Sequence, residues 1–296
     1  MPIAEQYVKS GRITKELRSL VREKVRPGMG YVETCEWIEK EIVARGGAAA
    51  FPTGIGVNHV TAHYAPQEAD ESKFLETDVI KVDFGVHVEG YVTDTAVTLT
   101  FNPEYELLVE AAERTLNAAI GALKSERRVG EIGREIRREA SRFGFKTIEN
   151  LTGHTVDRYV VHAGKSIPNL FVQNMPSLKE EDVFAVEPFL TLGSAAGYVV
   201  DSEAETIFSL LARKSTGVKE LDEFASRLWE ERKTLPFTPR WYVSEFGRER
   251  VDRIIKELVR RRLMRGYPTL VEASMKPVAQ FEHTMGYDGG RLVVLT

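Results

Sequence analysis

The sequence predicts a mixed α/β protein built as two facing halves, an antiparallel β body flanked by helices, with a helical unit inserted late in the chain. Three observations predict it. Helical and strand-like textures alternate along the first 206 residues. A short motif recurs: Asp78-Val79-Ile80-Lys81-Val82-Asp83 aligns with Asp182-Val183-Phe184-Ala185-Val186-Glu187, and Gly90-Tyr91-Val92-Thr93-Asp94 aligns with Gly197-Tyr198-Val199-Val200-Asp201. Residues 215–265 then depart from everything before them, being rich in Arg, Lys, Glu and Leu. Each repeat offers helices and then a hairpin with an acid on its first strand, so the two imply a pseudo-twofold body with a cleft between the halves.

The elements follow in order. Ile3, Tyr7, Val8, Ile13, Leu17, Leu20 and Val21 keep a mostly helical spacing over residues 3–24, closed by Pro27-Gly28. Residues 31–45 read as a second helix ended by Gly46-Gly47. Residues 51–100 take on the Gly, Thr and Val texture of strands. Residues 104–123 and 130–143 return to helical spacing, and 150–206 are strand-like again. Residues 215–265 are strongly helical, with Val251, Ile254, Ile255, Leu258 and Val259 on one apolar stripe. Residues 279–296 form a strand-like tail. These textures divide the chain into a body of residues 1–206 and 268–296 and an inserted unit of residues 207–267.

Composition narrows the function. Forty basic against 44 acidic side chains leave a formal charge of −4, which argues against a general polyanion-binding surface and against DNA as a partner. One cysteine, Cys35, allows no internal disulfide and suits a reducing compartment. The charged N-terminal stretch lacks a signal-peptide core, and no apolar run reaches membrane-spanning length. The expectation is a cytoplasmic protein with no membrane partner, acting as a monomer. Phosphate-loop, HExxH and GxSxG patterns are missing, which removes support for nucleotide, zincin and α/β-hydrolase chemistry.

The informative residues are acids in apolar strands. Asp83 and Asp94 sit in runs of β-branched residues that disfavour carboxylates. With the hairpin loop at residues 88 and 89 they fall directly opposite each other, with Cβ atoms about 5 Å apart. Two partly buried like charges at that distance repel by more than about 1 kcal/mol, so a proton, a basic partner or a metal must neutralise them. A bulge, or one acid facing out, is the plain alternative. Glu187 repeats the anomaly in AVEPF, where an edge-strand acid before Pro188 is the alternative, and Glu282 stands in QFEHT of the closing strand. His154, His162 and His63 are each, taken singly, as compatible with a structural role as with a ligand or catalytic one; His59, His87 and His283 are read as standing outside the site. Together, four carboxylates and one imidazole make a hard, oxygen-rich donor set suited to Mn, Fe, Co or Zn as a carboxylate-bridged pair.

The stretches NHVTAHY, KVDFGVHVEGYVTD, GHTVDRYVVHAGKSIPN, AVEPF and QFEHT, in this order and across nearly the whole chain, resemble the motif series of methionine aminopeptidases of the pita-bread fold. The resemblance implies two divalent metal ions held by Asp83, Asp94, His154, Glu187 and Glu282. Asp83 would chelate one ion, His154 and Glu187 the other, and Asp94 and Glu282 would bridge them. It further implies His63 beside the scissile amide nitrogen, His162 at the peptide carbonyl, and Glu187 as proton shuttle, with His63 and His162 also binding substrate. The implied substrates are the N-termini of peptides and nascent proteins, cleaved after Met when the second residue is small. GKSIPN and the late insertion resemble the type II enzymes, and the short leading segment their archaeal kind. By the same analogy the insertion is winged-helix-like, and its basic flank (Arg248, Arg253, Lys256, Arg260, Arg261, Arg262) is compatible with a transient ribosome contact as well as with a plain solvated face. Two alternatives share the fold: a prolidase or aminopeptidase P, which usually carries a separate N-terminal domain, and a non-catalytic binding homologue, which would show a substituted ligand.

Overall fold

The computed structural model describes residues 3–296; residues 1 and 2, which the sequence reading assigns to the body, lie outside it. Helices α1 (Glu5–Lys24) and α2 (Tyr31–Ala44) lead into β1 (Ala48–Ala49), β2 (Gly54–Val57), β3 (Val60–Ala62) and the long hairpin of β4 (Val79–Val88) and β5 (Tyr91–Thr100). Helices α3 (Glu106–Leu123) and α4 (Val129–Arg142) follow. Then come β6 (Lys146–Thr147), β7 (Thr152–Val156), β8 (Ser166–Pro168), β9 (Val183–Val186), β10 (Phe189–Thr191) and β11 (Val199–Leu210). Helices α5 (Lys219–Arg232), α6 (Arg240–Phe246) and α7 (Arg248–Arg260) lie between β11 and β12 (Met264–Glu272), in the stretch expected to be an insertion, and β13 (Val278–Gln280), β14 (His283–Asp288) and β15 (Arg291–Val294) complete the chain.

The helices bury the stripes their spacing announces. In α1, Tyr7, Ile13, Leu17 and Val21 face inward, whereas Val8 lies on the solvent side of the same helix. Ile13, Leu17 and Val21 join Ile38 and Ile42 of α2, Val82 and Phe84 of β4, Ile136 of α4 and Phe184 of β9 in the main core. A second core, Phe208, Leu221, Phe224, Tyr242, Ile254 and Leu258, holds the insertion together. Two buried arginines fasten that insertion to the body. Arg232 donates to the carbonyl of Ala49 at 2.8 Å, and Arg240 donates to Glu39 at 2.9 Å and to the carbonyl of Pro66 at 3.0 Å. The helical texture of residues 215–265 stops short of its expected end: Arg262 takes a positive φ of 58°, and Met264 and Arg265 already belong to β12.

Two corrections concern the repeat. The β4–β5 turn falls at Glu89-Gly90, both with positive φ (52° and 90°), the conformation a two-residue hairpin turn requires. The register therefore pairs Asp83 with Ala96 and Asp94 with Gly85, two residues away from the expected pairing. The two acids remain on one face as diagonal neighbours. In the second half β9 does not form a hairpin with the strand after it; β11 pairs with β12, and Asp201 is exposed. The strand beside β9 is β14, from the far end of the chain. One step past their last pair, Val186 with His283, the ladder would set Glu187 against Glu282. The pseudo-twofold thus relates Asp83 and Asp94 to Glu187 and Glu282, and the repeat is completed across the insertion.

The halves meet through threonines. Thr284 Oγ1 accepts from the Asp94 amide at 2.7 Å and lies 2.8 Å from its carbonyl, and Thr95 Oγ1 donates to the Glu282 carbonyl at 2.8 Å. Thr98 Oγ1 donates to the Gln280 carbonyl at 2.6 Å, and the Glu282 amide donates to the Ala96 carbonyl at 3.1 Å. Side-chain hydroxyls replace most of a ladder here, which fixes Asp94 beside Glu282 without closing the cleft.

Candidate metal centre

Asp83, Asp94, His154, Glu187 and Glu282 converge on one cavity of about 240 Å³, and His63 and His162 stand in its wall. His154 on β7 pairs with Ala185 of β9, two residues before Glu187, so both point to the same face. Its Nε2 lies 3.6 Å from Asp94 Oδ2 and 3.5 Å from Glu187 Oε1. Its Nδ1 lies 3.4 Å from the Thr155 carbonyl, which favours the proton on Nδ1 and leaves Nε2 as a lone-pair donor toward the acids. Burial, and then neighbouring His162, bring the His154 pKa down to about 3, so its attraction to the carboxylates at neutral pH is not that of an ion pair.

The acids stand without a counter-charge. Asp94 and Glu282 are almost wholly buried, and no Lys or Arg lines the cavity. Burial pushes Asp83 up to about 7. Burial, and then the neighbouring carboxylates, push Asp94, Glu187 and Glu282 well above the ordinary range. Asp83 Oδ1, Asp94 Oδ1 and Glu282 Oε1 are buried with no hydrogen-bond partner. Orphaned carboxylate oxygens facing one another cost free energy that protons or cations must offset. A donor set of oxygens plus one imidazole nitrogen fits divalent cations of the Mn, Fe, Co and Zn kind. Ligand atoms of Asp94, His154 and Glu282 already lie within 4.8 Å of one another.

The histidines are held by other means. His63 adopts a positive φ of 62°, a strained backbone for a residue with a side chain. Thr269 Oγ1 donates to its carbonyl at 3.3 Å, and the Tyr267 ring meets its imidazole edge-on at 5.8 Å. His162 packs against His154 with ring centroids 4.3 Å apart while leaving one side open to the cavity. Burial lowers the pKa of His63, and it brings His162 down to about 4, so both are neutral hydrogen-bonding groups at pH 7. His87 and His283 are bonded elsewhere, to the Gly90 amide and to Thr296, and neither lines the cavity; nor does His59.

Several residues of the site escaped the sequence reading. Gln280 is buried, and its Nε2 lies 3.3 Å from Glu187 Oε2 and 3.5 Å from Glu282 Oε2. It stands two residues before Glu282 and so shares its face of the strand, the signal that could have found it. Asn169, from GKSIPN, donates to the carbonyls of Leu151 and Glu187 at 3.0 and 3.2 Å and so fixes the backbone of Glu187. Phe51, Leu151, Phe189, Ile207, Pro236 and Tyr267 give the cavity apolar walls. Phe51 fits because Gly85 leaves room: a Cβ there would come within 2.3 Å of the ring. Ile207, Pro236 and Tyr267 come from the stretch read as the insertion, so that unit helps to wall the cleft.

Comparison with known proteins agrees with this geometry. Residues 5–223 match the profile of metallopeptidase family M24. The chain is 36% identical over 293 residues to the methionine aminopeptidase of Pyrococcus horikoshii, covering 99% of each. It is 37% identical over 294 residues to that of Archaeoglobus fulgidus, covering 99% of this chain and 98% of the relative. Among solved structures, a thermophilic Arx1 superposes with a TM-score of 0.82 at 17% identity, over 98% of this chain and 89% of that one. Methionine aminopeptidase from Rickettsia prowazekii superposes with a TM-score of 0.70 at 18% identity, over 98% of this chain and 95% of that one. These likenesses identify the architecture as the pita-bread fold.

Proposed function

This chain belongs to metallopeptidase family M24, a family of divalent-metal enzymes, and we propose that it is a methionine aminopeptidase of the archaeal type II kind. It hydrolyses the bond after an N-terminal Met, preferring a small second residue. One observation carries the reading: an apolar-walled cavity gathers two buried and two part-buried carboxylates with no Lys or Arg beside them, in a chain more than a third identical to methionine aminopeptidases along its whole length. Asp83, Asp94, His154, Glu187 and Glu282 would hold two divalent ions. Such a pair, when bound, lowers the pKa of a water and polarises the scissile carbonyl.

The protein's own groups do the rest. Glu187, free of any basic partner, takes a proton from the attacking water on a carboxylate oxygen and passes it to the leaving amine. Gln280 holds Glu187 and Glu282 in place through its amide. His162, neutral and open to the cavity, donates to the oxygen of the peptide carbonyl as charge develops there. His63 binds on the side of the amide nitrogen. Phe51, Phe189 and Ile207 surround the Met side chain and exclude water, which strengthens each of these interactions. The substrate's α-amino group is drawn by the acids, and this restricts cleavage to the terminus.

Residues 1–206 and 268–296 form the catalytic body and 207–267 the inserted unit of this reading. No described helix is long and apolar enough to cross a membrane. The protein acts in the cytoplasm, as a monomer, on nascent N-termini. Any ribosome contact through the α7 flank falls to Lys256 and Arg262, which have no ion pair among the described residues. The test is release of Met from Met-Gly and X-Pro peptides before and after chelation. Chelator-sensitive release of Met supports the reading, whereas cleavage confined to bonds beside proline replaces it with a prolidase.

A further inference from the structure

Beyond His162 the main cavity continues into a shallow groove of about 170 Å³. Val161, His162, Pro236 and Tyr267 line both spaces, so the two are separated by single side chains. The groove's remaining wall is made by Val160 on one side and Leu211 and Thr234 on the other, with Arg265 among them. Val160 and Leu211 are 37% and 49% exposed, so the mouth of the cleft offers aliphatic surface. The walls are tied: Thr234 Oγ1 donates to the Tyr159 carbonyl at 2.6 Å, which fastens the insertion to the loop that carries His162.

Arg265 differs from the arginines of α7. Its Nη2 donates to Tyr267 Oη at 2.9 Å, and its guanidinium lies 4.6 Å from the centre of that ring. No carboxylate stands within ion-pair distance of it among the described residues, although Arg248, Arg250, Arg253, Arg260 and Arg261 all have one. It lines the groove together with His162 and Tyr267, which also line the main cavity, so it sits on the approach to the reaction. Tyr267 Oη lies 3.0 Å from Ser209 Oγ, which holds the ring that Arg265 leans on.

We propose that this groove seats the polypeptide that follows the second residue of the substrate, and that Arg265 selects anionic over cationic side chains there. The inference rests on the aminopeptidase reading. With the amino-terminal residue held at the acids, the rest of the chain must leave the cavity, and the groove is its direct continuation past His162. The aliphatic surface of Val160 and Leu211 receives the peptide stem, and Arg265, held on Tyr267 but without a carboxylate, pairs with an acid at the third or fourth position.

The test uses the metal-loaded enzyme and Met-Gly peptides carrying Asp-Asp or Lys-Lys at positions three and four. The ratio of kcat/KM for the two is read within one preparation, so losses of overall activity cancel. Wild type is expected to favour the acidic peptide by about two- to fivefold, the range of an exposed ion pair. The difference should lie in KM, as for uniform binding, and shrink in molar salt. Arg265→Glu should reverse the preference. Leu211→Arg, a change at an exposed position, should enlarge it. Equal ratios in wild type and Arg265→Glu overturn the groove while leaving the aminopeptidase reading intact. Failure to release Met from either peptide overturns both.

Discussion

Two charged regions of this molecule invite comparison, the cluster of acids in the cleft and the basic flank of α7. On α7 each guanidinium but that of Arg262 finds a nearby carboxylate: Arg253 with Glu220 at 3.0 Å, Arg260 and Arg261 with Glu257 at 2.7 Å, and Arg248 with Asp252 at 3.1 Å. These groups are solvated as well as paired, so little free energy is stored there. In the cleft the arrangement is reversed. Asp94 and Glu282 are removed from water and Asp83 and Glu187 partly so, and the four line one cavity with no Lys or Arg among its walls. Density of charge therefore says little about function. Burial without compensation says much, because only bound protons or a cationic ligand make it tolerable.

The widest gap between the regions is opened at Asp94. Asp94→Ala should remove a ligand, abolish metal binding and lower turnover by at least about 10²–10³-fold. A variant that keeps two metals and near-normal turnover breaks the comparison at its root. The isosteric Asp94→Asn sharpens it further. By relieving repulsion in the metal-free state, it should raise the melting temperature of the chelated protein at pH 8 even as it destroys activity. Next in size is His162→Ala, expected to lower turnover by about 10²–10³-fold with metal content near normal. Loss of metal in step with activity would make His162 a structural support instead.

Gln280→Leu addresses how the acids are arranged, and it should weaken metal affinity by about 10–100-fold, the usual scale for a residue that orients ligands. Unchanged affinity in a competition titration removes Gln280 from that role. Its case also shows where sequence reasoning reached and where it stopped. The acids were legible because a carboxylate inside a β-branched run is a local anomaly, and Gln280 could have been found by the strand period of two. The helices were legible because apolar spacing is local, although Val8 shows that spacing alone does not choose the buried edge. The hairpin register differs from the expected one by two residues, since the turn is dictated by Gly90 and its positive φ rather than by the symmetry of the acids. The partner of β9 was not legible at all. Strand pairing between residues 183–186 and 283–286 is set by packing across the insertion, about a hundred residues away in sequence. The cavity walls Ile207, Pro236 and Tyr267 were hidden for the same reason.

The uncompensated acids also predict a pH dependence opposite to that of a salt-bridged protein. Their folded pKa values are raised, with Asp83 at about 7 against an ordinary 3.8. The folded, metal-free protein therefore holds protons that the unfolded chain has released. Its stability is greatest below the unfolded values and falls as pH rises from about 4 through the folded pKa near 7. Bound metal displaces those protons and should flatten the loss. Thermal melts of chelated and metal-loaded protein between pH 5 and pH 8 measure this. A melting temperature that rises with pH in the chelated protein would mean that the acids have a cationic partner after all.

The smallest expected effect comes from the other region. Arg253→Ala and Arg260→Ala each break an ion pair between solvated groups, whose attraction is offset by side-chain entropy and screened by salt. Each should move the melting temperature by less than about 2 °C and leave kcat/KM on Met-Gly peptides unchanged. The apolar stripe on the other side of the same helix gives the contrast that makes a null result informative. Ile254 is buried against Phe224 and its neighbours in the second core, and Ile254→Ala should cost about 2–5 kcal/mol through the lost contacts and the cavity left behind. If the arginine variants proved as costly as Ile254→Ala, the ion pairs on α7 would be structural elements in their own right, and charge pairing at the surface would count for more in this fold than its solvation implies.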